Sequence, residues 1–128
     1  MNELQLLGAI SALTALMWMP YVLERIIQQG LITTVGYPET PAAQSAWAAR
    51  AQKAHANAVE NLAVFAALLL AVVGLELQNG ITLLAAQLYV AARIGHYFCY
   101  LLAIPWLRTL AFFGGFVAQA MLAWVFLG

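Results

Sequence analysis

The chain has 128 residues, 65% of them hydrophobic and 8% charged, with a formal net charge of zero. That length supports a single domain, and the neutral balance gives no case for nucleic acid as a partner. So apolar a composition points to an integral membrane protein, because runs of about 20 apolar residues mark membrane-spanning helices.

Four such helices are predicted within one domain covering 1–128, at about 4–27, 41–76, 81–104 and 108–127. The first, Leu4–Ile27, is a retained helix rather than a cleaved leader: it carries Glu3, lacks a basic lead-in and has a long apolar run. Pro20 falls inside it and predicts a local kink. Leu31–Thr40, with Gly36, Pro38 and Glu39, reads as a loop. Thr40-Pro41 reads as an N-cap followed by proline at the first helical position.

The second helix is the most informative. The run Arg50-Ala-Gln-Lys-Ala-His-Ala-Asn-Ala-Val-Glu-Asn61 leads straight into apolar residues, its hydrophobic span being Ala58–Gly74. Arg50, Lys53, Asn57, Glu60 and Asn61 share one helical face. Polar residues entering a bilayer are costly and mark function. From residue 41 to 76 this helix measures roughly 55 Å, longer than the ~30 Å hydrocarbon core, so its first turns project from the membrane.

Asn79-Gly80 reads as a tight turn. The third helix, Ile81–Ile104, carries Arg93, His96, Tyr97 and Tyr100 on one face, and Pro105 is predicted to end it. The fourth, Thr109–Leu127, opens after Arg108. Its Gly114-Gly115 pair predicts close helix contact, and Gln119 predicts an interhelical hydrogen bond.

All five basic residues, Arg25, Arg50, Lys53, Arg93 and Arg108, lie toward one side of this arrangement. The positive-inside rule therefore places the first and third loops in the cytoplasm and both termini outside. Counting residues along each helix brings Arg25, Asn57, Glu60, Tyr100 and Arg108 to the inner boundary, with Arg93 about 10 Å deeper. A charge in hydrocarbon costs at least ~2.5–3.5 kcal/mol, so Arg93 needs a partner. Glu60 is the expected one, within the chain or across subunits. The excess of positive charge suits an anionic ligand that also carries an amine for Glu60.

Other polar residues carry less. His55 lies off the main stripe and reads as structural or solvated. Arg50 reads as a topology signal or lipid-headgroup contact. Cys99, the only cysteine, allows no intrachain disulfide and reads as a buried apolar residue. No metal-binding spacing is present.

Three of these segments resemble the MAPEG family, the membrane-associated proteins in eicosanoid and glutathione metabolism. Lys-Ala-His-Ala-Asn-Ala-Val-Glu at 53–60 resembles its second-helix motif. Arg93-Ile-Gly-His96-Tyr-Phe-Cys-Tyr100 resembles its Arg-x-x-His-x-x-x-Tyr. Arg108-Thr109 resembles the Arg-Ser or Arg-Thr opening its fourth helix. The resemblance implies a homotrimer of four-helix protomers, with glutathione as cosubstrate between neighbours in the inner leaflet. It implies ligand contacts at Arg25, Lys53, Asn57, Glu60, Arg93, His96 and Tyr100. Arg108 matches the arginine that stabilises the glutathione thiolate. Two positions depart from it: Ala56 stands where several members have arginine, and Phe112 where some have tyrosine.

The implied activity is that of a glutathione-dependent transferase or peroxidase, acting on a lipophilic electrophile or lipid hydroperoxide delivered by membrane lipids. Short loops lean toward a bacterial inner membrane. The alternatives are a catalytically silent membrane protein that keeps the polar layer, and a small transporter. A transporter of this size needs a carboxylate deep in the membrane for proton coupling, and the five carboxylates here are all placed at the membrane edges or outside.

Overall fold

A computed structural model describes all 128 residues. It is all-helical, with six helices: α1 (Glu3–Leu16), α2 (Met19–Gln29), α3 (Leu31–Val35), α4 (Ala46–Gly74), α5 (Gly80–Leu101) and α6 (Pro105–Leu127). α1 and α2 together form one apolar rod, Glu3–Gln29. This rod, α4 and α6 are each long and apolar enough to cross a membrane. Of the four expected spans, α5 falls short of that apolar standard. It carries Gln87, Arg93, His96 and three tyrosines, and it packs against α1, α4 and α6. Polar side chains are tolerated on the helix that its neighbours shield.

The first expected helix carries the expected local kink, a two-residue interruption at Met17-Trp18 in which both residues keep right-handed helical dihedrals. Pro20 has no N–H to give Leu16 and its ring crowds that carbonyl. Met17 N–H turns back to Thr14 O at 3.2 Å, and the chain restarts at Met19 with Pro20 in the first turn of α2. Thr14 Oγ1 donates to Ile10 O at 2.7 Å, a back-bond that favours bending just before the break.

The expected loop at 31–40 contains one short helix, α3. The expected start of the next helix at Thr40-Pro41 is also corrected: α4 begins at Ala46, with Ser45 as N-cap. The reason is tertiary. Gln29 Oε1 accepts from Ala42 N–H at 2.9 Å, and Glu24 Oε1 accepts from Ser45 N–H at 3.4 Å and from its Oγ at 2.9 Å. These α2 side chains satisfy the backbone of 42–45 outside a helix. Glu24 also places its carboxylate at the start of α4, where negative charge meets the helix dipole. At 29 residues, α4 is roughly 43 Å long, still longer than a bilayer core.

Two turns carry Schellman caps without glycine. After α4, Leu77 N–H reaches Val72 O at 2.9 Å and Glu76 has φ 55°. After α5, Ile104 N–H reaches Cys99 O at 2.9 Å and Ala103 has φ 58°. Pro105 therefore does not end the third long helix. It opens α6, where its fixed φ suits the first turn.

Short connections make α4, α5 and α6 antiparallel neighbours. Thr82 Oγ1 donates to Glu3 Oε1 at 3.0 Å, so the N-terminus sits beside the α4–α5 turn, at the end where α6 also finishes. The apolar core fills this terminal end. Phe65 and Tyr89 stack with centroids 3.8 Å apart, and Ile10, Leu69, Val72 and Leu122 close round them with almost no exposure.

Candidate functional site

The opposite end of the bundle, near the α5–α6 turn, holds the polar groups. Asn57 of α4, His96 and Tyr100 of α5, and Arg108, Thr109 and Phe112 of α6 line one cavity of about 290 Å³. Each helix delivers its residues by periodicity. His96 and Tyr100 are one turn apart, as are Arg108 and Phe112. The α5–α6 turn folds the last turn of α5 back against the first of α6.

The cavity wall is aromatic and basic. The Arg108 guanidinium sits over the Tyr100 ring, 5.0 Å from its centroid, close enough for a cation–π attraction. Tyr100 meets His96 edge-on at 5.6 Å, and Phe112 lies 6.1 Å from His96. His96 is buried, and its Nδ1 has no hydrogen-bond partner.

Behind the cavity, Arg93 is 2% exposed. Its Nη2 donates to Asn57 Oδ1 at 2.7 Å, while its Nε and Nη1 have no partner. The expected Arg93–Glu60 pair is not formed within the protomer. Glu60 lies three residues beyond Asn57, roughly 60° round α4, and is exposed on the outer surface. Gly115 of α6 packs against Arg93: a Cβ there would lie 3.5 Å from Arg93 Cδ, in ordinary van der Waals contact. Gly114 likewise allows close approach, 3.4 Å from Ala92 Cβ.

A chain of amides continues inward. Asn61 Nδ2 donates to Asn57 O at 2.9 Å and approaches Asn57 Oδ1 at 3.3 Å. Gln119 Nε2 donates to Asn61 O at 3.2 Å, the interhelical bond expected of that glutamine.

Of the eight sequence-predicted site residues, Asn57, His96, Tyr100 and Arg108 meet at the cavity and Arg93 backs it. Lys53 and Glu60 are exposed on α4, Arg25 is half-buried on α2, and none of the three lines the cavity. Phe112, read from sequence as a departure from a motif, forms part of the wall. Arg50, expected as a topology signal or lipid-headgroup contact, donates from its Nε to Leu101 O at 3.1 Å, capping a free carbonyl at the end of α5. His55 is structural: Tyr21 Oη lies 2.7 Å from its Nδ1, tying α2 to α4. No group of three metal-ligating side chains forms anywhere in the chain.

Comparison with curated proteins returned no significant match, and neither did comparison with solved structures. The MAPEG family profile matches residues 7–128, a stretch that contains every helix after the first turn of α1 and the whole polar cavity. The chain is an integral membrane protein by its apolar helices, and it belongs to the MAPEG family.

Proposed function

We propose that this protein is a glutathione-dependent membrane transferase or peroxidase acting on lipophilic substrates. Glutathione binds near the cytoplasmic leaflet, between protomers of a homotrimer whose termini lie outside a bacterial inner membrane. The MAPEG family includes glutathione transferases and peroxidases alongside other members. The observation that carries the reading is the convergence of Arg108, Asn57, His96 and Tyr100 on one cavity backed by a buried guanidinium.

The chemistry follows from charge. Glutathione has two carboxylates, one ammonium and a thiol. A guanidinium holds a carboxylate through paired N–H donors. A thiol of pKa about 8.5 is mostly protonated at neutral pH, and an adjacent arginine favours its thiolate. Arg108, exposed to the cavity over Tyr100, is the residue for that role. In conjugation the thiolate sulfur forms a bond to carbon of the electrophile and the leaving group departs. In peroxide reduction two glutathiones become the disulfide, while the hydroperoxide becomes an alcohol and water.

The cavity is small for a whole tripeptide, and it contains no carboxylate to take the ammonium. Glu60 and Lys53, exposed on α4, complete the site across the interface with a neighbouring protomer. The lipophilic partner arrives through the bilayer.

One observation favours a second reading, a silent member that binds glutathione without turnover. Phe112 presents an apolar ring to the cavity, so no hydroxyl stands there to hydrogen-bond the sulfur.

The test is equilibrium binding of glutathione to the detergent-purified protein, beside Glu60→Gln and Arg108→Ala. Saturable binding weakened by both substitutions, and a thiolate absorbance lost in Arg108→Ala, supports the enzyme reading. Binding without turnover on any electrophile or hydroperoxide favours the silent one. No binding at millimolar glutathione by an intact oligomer sinks both.

A further inference from the structure

The kink in the first rod changes what the rod packs against. α1 lies against both α4 and α5, whereas α2, beyond Met17-Trp18, keeps α4 and draws away from α5. A groove opens where the two part. Leu13, Leu16 and Pro20 form one wall and Ile94, Phe98 and Leu101 the other, round a volume of about 360 Å³. The only polar side chain lining it is that of Tyr97, whose hydroxyl turns to Met17 O at 3.5 Å. The surface left open is hydrocarbon, roughly 10 Å long at the helical rise of α1 and α5.

This groove is not the polar cavity. The α5 residues that line it lie roughly 120° round the helix from Arg93, His96 and Tyr100. Its direction follows from the helices. α1 and α5 both start at the end where Thr82 meets Glu3, so Leu13 and Ile94 lie toward the middle of the bundle, and Pro20 and Leu101 toward its basic end.

Arg50 stands at that basic end. Its Nε is fixed on the carbonyl of Leu101, a residue of the groove wall. The guanidinium is thereby held at the mouth of the groove. The N–H groups on its Nη1 and Nη2 are donors with no partner in the protein, and they are not sealed. Trp47, one turn earlier on α4, is 40% exposed, as a tryptophan at headgroup depth is. No carboxylate lines the groove to neutralise the cation.

We propose that the groove holds one acyl chain of a phospholipid, with the lipid phosphate on Arg50. Paired N–H donors of a guanidinium match phosphate oxygens, and the slot beside them takes a chain. Hydrocarbon slot and cation adjoin at Leu101, so a single amphiphile with its phosphate at the membrane surface satisfies both. A neutral lipophile would fill the slot and leave the cation free. The seated lipid fills the space that the kink opens and joins α1 to α5.

The test uses the assembled protein in detergent, stripped of lipid and then offered phosphatidylglycerol or diacylglycerol of the same acyl chains. Retained lipid is counted by native mass spectrometry. Phosphatidylglycerol is expected to be retained over diacylglycerol and to raise the melting temperature. Arg50→Gln is expected to lower its retention about five-fold, the worth of one basic residue beside lipid phosphate, and Arg50→Lys to recover most of the loss. Leu13→Trp fills the slot and is expected to abolish the preference. A phosphatidylglycerol carrying a diazirine in its acyl chain locates the lipid in the unaltered protein, with label expected within Leu13–Pro20 and Ile94–Leu101. Equal retention of the two lipids by the wild type overturns the proposal, as does undiminished retention in Arg50→Gln or label confined to other segments. A change of oligomeric state in Leu13→Trp also overturns it, because another copy of the chain would then cover this face.

Discussion

The two ends of the same three helices are built on opposite rules. At the terminal end, α4, α5 and α6 bury Phe65, Leu69, Tyr89 and Leu122 against Ile10 of α1. At the other end they bury a guanidinium held by one neutral amide, with two of its nitrogens and one imidazole nitrogen left without partners. The first end has nothing left to bind. The second keeps donors in hand, and a buried donor without a partner is a standing cost that a ligand can relieve. Stability and recognition are thereby separated along the axis of one bundle.

The sharpest way to break that division is to open the dry end. Phe65 is fully buried and stacked on Tyr89. Phe65→Ala is expected to cost about 3–5 kcal/mol, read as a large drop in melting temperature in detergent, with ligand affinity preserved wherever the bundle stays folded. The complementary change is Arg93→Met. Methionine removes a buried guanidinium with two unpartnered nitrogens, and the desolvation cost so relieved offsets the hydrogen bond lost at Asn57. This variant should melt no lower than wild type and lose ligand affinity. A fall of several kcal/mol in stability would mean that Arg93 chiefly holds the helices together, and the division between the ends would fail.

Smaller effects sharpen the picture. Tyr21→Phe removes the hydroxyl that meets His55. It is expected to destabilise by about 1 kcal/mol, the net worth of one hydrogen bond, without changing glutathione binding, since neither residue lines the cavity. Ala103→Gly relieves a positive φ of 58° in the turn that brings α5 to α6. A gain of up to about 1 kcal/mol is expected by thermal melting, with the cavity unchanged. A loss of stability there would show that the Ala103 methyl is held by packing.

The long helices were readable because their signal is local. Apolar runs bounded by Asn79-Gly80 and Pro105 set the helix positions to within a few residues, apart from the start of α4. The polar residues were readable for the same reason: Asn57 and Asn61, or Arg93, His96 and Tyr100, share a face by helical arithmetic alone. The larger errors are places where one helix answers another. The α4 start moved from Thr40-Pro41 to Ala46 because Gln29 and Glu24, far back in the chain, take the N–H groups of Ala42 and Ser45. Glu60 was matched to Arg93 by charge, within the chain or across subunits; within the protomer the helix turns it outward and gives Arg93 the neutral Asn57.

The sequence by itself determined that this is an all-helical membrane protein of the MAPEG family with a polar layer near one end of its helices. Hydrophobic run length, periodicity and short ordered motifs are properties of contiguous residues. Only the tertiary structure decided which polar groups meet: that Arg108 lies over Tyr100, that Gly115 packs against Arg93, and that the Asn57 oxygen is held by Arg93. Those depend on the rotation and spacing of α4, α5 and α6 about one another, which packing sets and no single helix encodes.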